Sequence, residues 1–240
     1  ALAESFYTRG LYSDATMFFN ESPIKVAWAK YAKNEFKRGN YPLAKSLVEN
    51  GLKYYSNSVE KQDAYDAIDG YISLSDNKLV TINYLLNKYS KSARVDYLLY
   101  LKAKYSDDKQ KYIIYEQLYD KYPDSDFSAE ALYKTFYSHI DKQNYAKALA
   151  LGQKHIAHFK KSDTSPAVLF WMGKIYERKH NIPMARSYYK GVMSKYPDSY
   201  YSYRAFSKLH NEQDLFIDTN IKYASASKSK YISNDGNGYW

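Results

Sequence analysis

The sequence predicts an all-α fold, a tandem stack of helical hairpins forming an α-solenoid superhelix of about thirteen helices. Three observations predict it. First, a closing motif of aromatic, two variable residues and serine recurs at Tyr55–Ser58, Tyr89–Ser92, Tyr122–Ser125, Phe159–Ser162 and Tyr196–Ser199. Its steps of 34, 33, 37 and 37 residues have the period of stacked supersecondary units. Second, apolar residues between closures recur at three- and four-residue steps, which is one helical face. Leu169, Met172, Gly173 and Tyr176 give one such face, and Ala185, Tyr188, Tyr189 and Val192 the next. Third, strict apolar–polar alternation is nowhere sustained, and the turns are too evenly spaced for βαβ units.

The helices follow in order. A partial pair is expected at 2–9 and 12–20, joined by Arg9-Gly10-Leu11-Tyr12. Full pairs follow at 24–38 with 42–54, 59–72 with 77–89, 93–105 with 108–121, 127–140 with 144–158, and 166–180 with 183–195. A last helix is expected at 200–210. Gly39-Asn40-Tyr41, Gln143-Asn144-Tyr145 and His180-Asn181-Ile182 mark turns within hairpins, and Pro183 suits a first helical turn. The motif serine is a natural N-cap, since its hydroxyl accepts from a free backbone N–H. Eleven residues before each aromatic stands Ala44, Lys78, Lys111, Ala148 or Ala185. The lysines predict looser joints in their two units. Residues 1–210 are thus read as one repeat domain. Residues 211–240, with Ala224–Lys230 and Asn234–Gly238, are read as a linker-like tail.

Composition narrows the function classes. The chain has 240 residues, 45% apolar, enough for a sizeable core. Thirty tyrosines are read mainly as large half-buried helix residues, with some exposed for stacking. A net charge of +9 favours an acidic partner. Cysteine is absent, which excludes disulfides and thiolate sites. No apolar run approaches the roughly 18 residues of a membrane span. The short first helix leads us to expect further sequence upstream.

Two resemblances follow. Trp28, Ala32, Ala44 and Val48, then Leu169, Met172, Gly173, Tyr176, Ala185, Tyr189 and Pro197, match helix-packing positions of the tetratricopeptide repeat (TPR), which the chain resembles over about residues 20–210. The stretch 166–209 also resembles the end of the superhelical domain of soluble lytic transglycosylases. Its marks are Trp171, Gly173, Ala185, Tyr188, Tyr189, Tyr196, Pro197, Ser199, Tyr200, Tyr201, Tyr203, Ala205 and Leu209; Ser202 stands where that family has glycine. This second resemblance implies a non-catalytic scaffold of a bacterial periplasmic or cell-envelope protein that positions peptidoglycan cleavage, with the catalytic domain absent from this chain. The first implies, as the alternative, a protein-binding adaptor.

Catalytic and metal chemistry is thinly represented. Glu4-Ser5-Phe6 superficially resembles the transglycosylase Glu-Ser segment, but no matching second segment follows it. His155 and His158 share a helical face, yet Lys154, Lys160 and Lys161 oppose a cation, so a basic surface is expected there. No enzyme, metal or cofactor is expected of this chain. Binding is the better prospect, because stacked hairpins present an extended inner face. The repeat resemblance places Lys33, Phe36, Lys37, Tyr100, Lys104, Tyr133, Tyr137, Phe170, Lys174, Arg178, Tyr201, Arg204 and Lys208 there. Tyr133, Tyr137, Phe170, Lys174, Arg178, Tyr201 and Arg204 form the groove candidates. Rings stack on sugars or peptide side chains, and cations hold carboxylates. The expected partners are peptidoglycan or an acidic protein segment, or a catalytic domain of the same parent chain. Rings among cations also suit single-stranded nucleic acid, but no RNA-binding motif accompanies them.

Overall fold

The computed structural model describes residues 2–21, 24–53 and 61–210, with backbone only for 24–27. Among them are thirteen α-helices and no strand, as the periodicity predicts. The chain divides into two compact units, 1–128 and 129–240. The first contains α1 (Leu2–Thr8), α2 (Tyr12–Asn20), α3 (Ile24–Arg38), α4 (Tyr41–Lys53), α5 (Lys61–Ser73), α6 (Lys78–Lys88), α7 (Val95–Tyr105) and α8 (Asp108–Lys121). The second contains α9 (Ser128–Asp141), apart from its first residue, then α10 (Tyr145–His158), α11 (Ser165–Arg178), α12 (Ile182–Lys195) and α13 (Tyr200–Leu209). The closure at Tyr55–Ser58 and the segment 211–240 lie outside the described residues.

One backbone device turns four of the hairpins. Gly10, Gly39, Gln143 and His180 all have φ between 55° and 76°. Each donates its N–H three residues back, to Tyr7, Phe36, Ile140 or Glu177. The next residue donates five back, to Phe6, Glu35, His139 or Tyr176. This paired pattern satisfies carbonyls that a helix end leaves open and reverses the chain. Asn144 and Asn181 then cap the following helix, accepting from the N–H of Lys147 and Met184. In the first unit the same turn is held by buried Glu35, which accepts from Thr16, Asn34, Arg38 and Asn40.

The closures between hairpins differ from expectation in one respect. Ser92, Ser125 and Ser162 each donate a backbone N–H to the motif aromatic, and their hydroxyls accept from the N–H two residues on. They stabilise a turn ahead of the helix, not the helix end itself. Arg94 and Thr164 occupy the N-cap positions of α7 and α11. Among the described motif serines only Ser199 is a helix N-cap, accepting from Ser202 N–H at 3.1 Å. The extra turn after Ser92, Ser125 and Ser162 moves each helix start two residues downstream of where a serine cap would put it.

Small residues set the close approaches. Ala44, Ala148 and Ala185 are buried, whereas Lys78 is exposed with its ammonium over the Tyr105 ring, and Lys111 pairs with Asp108. Trp28, in α3, lies directly against Gly51 of α4. Gly173 faces Tyr189, whose ring carbons would lie 2.7 and 2.9 Å from an added Cβ. The first unit's core gathers Trp28, Ala32, Val48, Ile68, Ile82, Leu85 and Leu98. The last hairpin packs Leu169, Phe170, Ala185, Tyr189 and Val192 against Ala205 of α13.

Candidate functional site

In the second unit the first helices of successive hairpins carry a continuous line of rings. Tyr133 and Tyr137 of α9 lie 6.3 Å apart. Tyr137 meets Trp171 of α11 edge-on at 5.2 Å. Trp171 lies 5.9 Å from Phe170, Phe170 lies 5.5 Å from Tyr201 of α13, and Tyr201 lies 5.4 Å from Tyr200. These offset and edge-on geometries are favourable for rings. Four-residue spacing puts Tyr133 and Tyr137 on one face of α9, and buried Phe170 bridges α11 to α13.

The structure sorts the groove candidates. Tyr133, Tyr137 and Tyr201 are half-buried and present ring surface. Phe170 is a correction: it has no exposed area and packs beneath Tyr189, Tyr201 and Trp171, so a ligand cannot touch it. The half-exposed ring of α11 is Trp171 instead, one position on. Sequence reading named Trp171 as a mark of the transglycosylase resemblance and not as a groove residue.

The cations are partly engaged. Lys174 and Lys208 share Glu177, at 3.0 and 3.3 Å. Burial pushes Lys174 below the usual lysine range, against the pull of Glu177. Burial also disfavours charge on Glu177, yet hydrogen bonds from Tyr189 and Lys174 win and hold its carboxyl below the usual range. Arg178 donates to the Tyr145 hydroxyl, and Arg204 lies 5.2 Å over Phe170 and donates to the Tyr200 hydroxyl. Neither arginine has a carboxylate partner among the described residues. Each retains donors for an incoming carboxylate.

The first unit's candidates are less available. Lys33 is locked between Asp63 and Asp66, both at 2.8 Å, and Asp63 also pairs with Lys30. Phe36 packs on Gly70, and Tyr100 sits within a cluster of Tyr97, Tyr115 and Phe127. Lys37 and Lys104 are exposed.

The chemical candidates have structural settings. Glu4 pairs with Lys30, which lowers its pKa, so the proton a general acid needs is absent at neutral pH. His155 is a further correction, because it is buried rather than part of a basic surface. Its Nε2 lies 2.8 Å from the Thr164 hydroxyl, and burial pushes it down to about 4. His158 is exposed on the last turn of α10. Among the described residues no helix is long and apolar enough to cross a membrane.

No protein-family model matches the chain, and no curated protein matches it. Among solved structures, the C-terminal part of a TPR repeat-containing protein from Cytophaga hutchinsonii is similar over 91% of this chain and 73% of its own. The identity is 16% and the TM-score 0.30. The fold therefore stands on the chain's own hairpins, left-handed turns and aromatic closures. These make the described residues an all-α stack of helical hairpins.

Proposed function

We propose that this chain is a non-catalytic scaffold that holds a segment of a partner protein on the α9–α11–α13 face. The observation that carries the reading is the half-exposed ring line from Tyr133 through Tyr137 and Trp171 to Tyr201, flanked by Arg178 and Arg204. Rings bury peptide side chains at low entropic cost, and guanidinium groups orient carboxylates. The test uses peptides selected on the full chain from a random phage-displayed library. Binding is read by quenching of indole fluorescence. The quench should vanish in Trp171→Phe, and affinity should fall about tenfold or more in Tyr137→Ala with Arg204→Ala. Selected peptides indifferent to all three positions would end this reading.

A second reading has its own support in the stretch 166–209, which resembles the end of the superhelical domain of soluble lytic transglycosylases. In that reading the chain is a cell-envelope scaffold, and the same rings stack on the sugars of peptidoglycan. Cosedimentation with purified sacculi separates the two. Sacculus binding lost in Trp171→Ala favours this reading, and peptide binding without sacculus binding favours the first.

A further inference from the structure

Between α4 and α6 the first unit holds a cleft of about 870 Å³, whose lining includes Lys45, Glu49, Lys53, Lys88, Tyr89 and Lys91. Lys45, Glu49 and Lys53 follow at four-residue steps, so they share one face of α4. Lys88 ends α6, and Lys91 belongs to the closure after it. Glu49 accepts from Lys88 at 2.7 Å, Tyr89 at 2.7 Å, Tyr71 at 2.8 Å and Tyr84 at 3.3 Å. Burial opposes its charge, but those donors prevail and bring its pKa down to about 2. Glu49 is therefore a fixed anion already engaged by Lys88.

The other three lysines have no carboxylate within ion-pair distance among the described residues. Lys45 lies 5.4 Å over the Tyr71 ring, and Lys53 and Lys91 are exposed. Packing of the unit uses neither of those two. Like charges gathered in one cleft repel each other, and an anion entering the cleft would relieve that repulsion.

We propose that this cleft binds a carboxylate-rich segment of a partner protein. Lysines along both walls suit carboxylates spaced along an extended chain, and Ser46, Asn50 and Ser90 add hydrogen-bonding groups. A single strand of nucleic acid needs open ring faces for its bases. Here Tyr71 is buried beneath Lys45, and the Tyr71 and Tyr89 hydroxyls are engaged on Glu49. The corresponding place in the second unit, between α10 and α12, is a smaller cleft lined by Ile156, Lys160, Lys195 and Tyr196. In both clefts a Lys-Tyr pair at the end of the second helix forms one wall. The inference is independent of the α9–α11–α13 reading, because its residues all belong to the first unit.

The experiment measures fluorescence anisotropy of a short fluorescein-labelled peptide alternating Glu and Gly, added to the full chain at low salt. Lys45→Gln, Lys53→Gln and Lys91→Gln together should weaken binding about tenfold. Lys161→Gln, Lys179→Gln and Lys190→Gln together remove the same charge from exposed sites elsewhere and should weaken it less than about twofold. On the wild-type chain, which needs no variant to fold, the peptide should shield Lys53 and Lys91 from an amine-acetylating reagent. Equal weakening in both triple variants would reduce the attraction to net charge and overturn the proposal. So would absence of shielding, or tighter binding of a single-stranded oligonucleotide that the cleft variant abolishes.

Discussion

Gly51→Ala and Gly191→Ala place the same methyl group in two helices and should move stability in opposite directions. At Gly51 the new Cβ would fall within the Trp28 indole, overlapping Cδ2, Cε2 and Cε3. Trp28 is only 3% exposed, so the ring has no route to solvent. Replacing glycine inside a helix gains about 1 kcal/mol in propensity. Overpacking a close contact costs about 1–3 kcal/mol, and this overlap belongs at the upper end. The net expectation for Gly51→Ala is a loss of about 1–2 kcal/mol, or roughly 2–8 °C in a chain of this size. Gly191 has nothing within 4 Å of the added atom, so the propensity gain stands alone, at about 0.5–1 kcal/mol. Urea unfolding followed by helical circular dichroism measures both. Trp28→Leu should restore much of the loss in the Gly51→Ala background, because the two residues contact each other. A Gly51→Ala chain as stable as its parent would refute the direct Trp28–Gly51 contact, and with it the packing of α3 on α4.

Three further outcomes are expected. Gln143→Gly and His180→Gly relieve a left-handed backbone that side chains disfavour, and each should stabilise by a few tenths to about 1 kcal/mol in urea melts. Asn181→Ala removes the cap on the Met184 N–H and should cost about 1 kcal/mol. His155 has a folded pKa near 4, below its ordinary 6.5, so the unfolded chain binds the extra proton between those values. Stability should therefore be whole above pH 6.5 and fall by up to about 3 kcal/mol as pH drops towards 4. His155→Phe should flatten that profile.

The fold was legible because the hairpin signals are local. Aromatic–x–x–Ser closures, Asn-led turns and three–four apolar spacing each fix a boundary without reference to distant residues. The predicted helices at 12–20 and 108–121 have the same bounds as α2 and α8. The sequence marked turns at Gln143-Asn144-Tyr145 and His180-Asn181-Ile182, but not the left-handed backbone that Gln143 and His180 adopt there. The candidate site was harder to read. Phe170 and Trp171 are neighbours in sequence, and the repeat pattern put the wrong one in the groove. One residue is about 100° of helix, enough to exchange a core ring for a half-exposed one. Charge was harder still, because Lys33 is neutralised by Asp63 and Asp66, thirty and more residues away.

The tyrosines connect these findings. A ring in the gap between two helices fills more volume than leucine, and its hydroxyl reaches past the core to a carboxylate at the edge. Tyr71 and Tyr89 do this to Glu49, Tyr65 to Asp126, and Tyr189 to Glu177. Each such bond strengthens when the carboxyl is ionised, so it fixes an anion at a helix joint. That anion then orients a nearby lysine, as with Lys88 on Glu49 and Lys174 on Glu177. Lys45, Lys53 and Lys91, away from these joints, have no such carboxylate partner among the described residues. The α4–α6 cleft consequently keeps positive charge that no described carboxylate compensates, in a chain of 35 Lys and Arg against 26 Asp and Glu. Where tyrosine and carboxylate meet at a joint, this chain builds structure; the lysines that stand without them are the ones the proposed binding in the α4–α6 cleft uses.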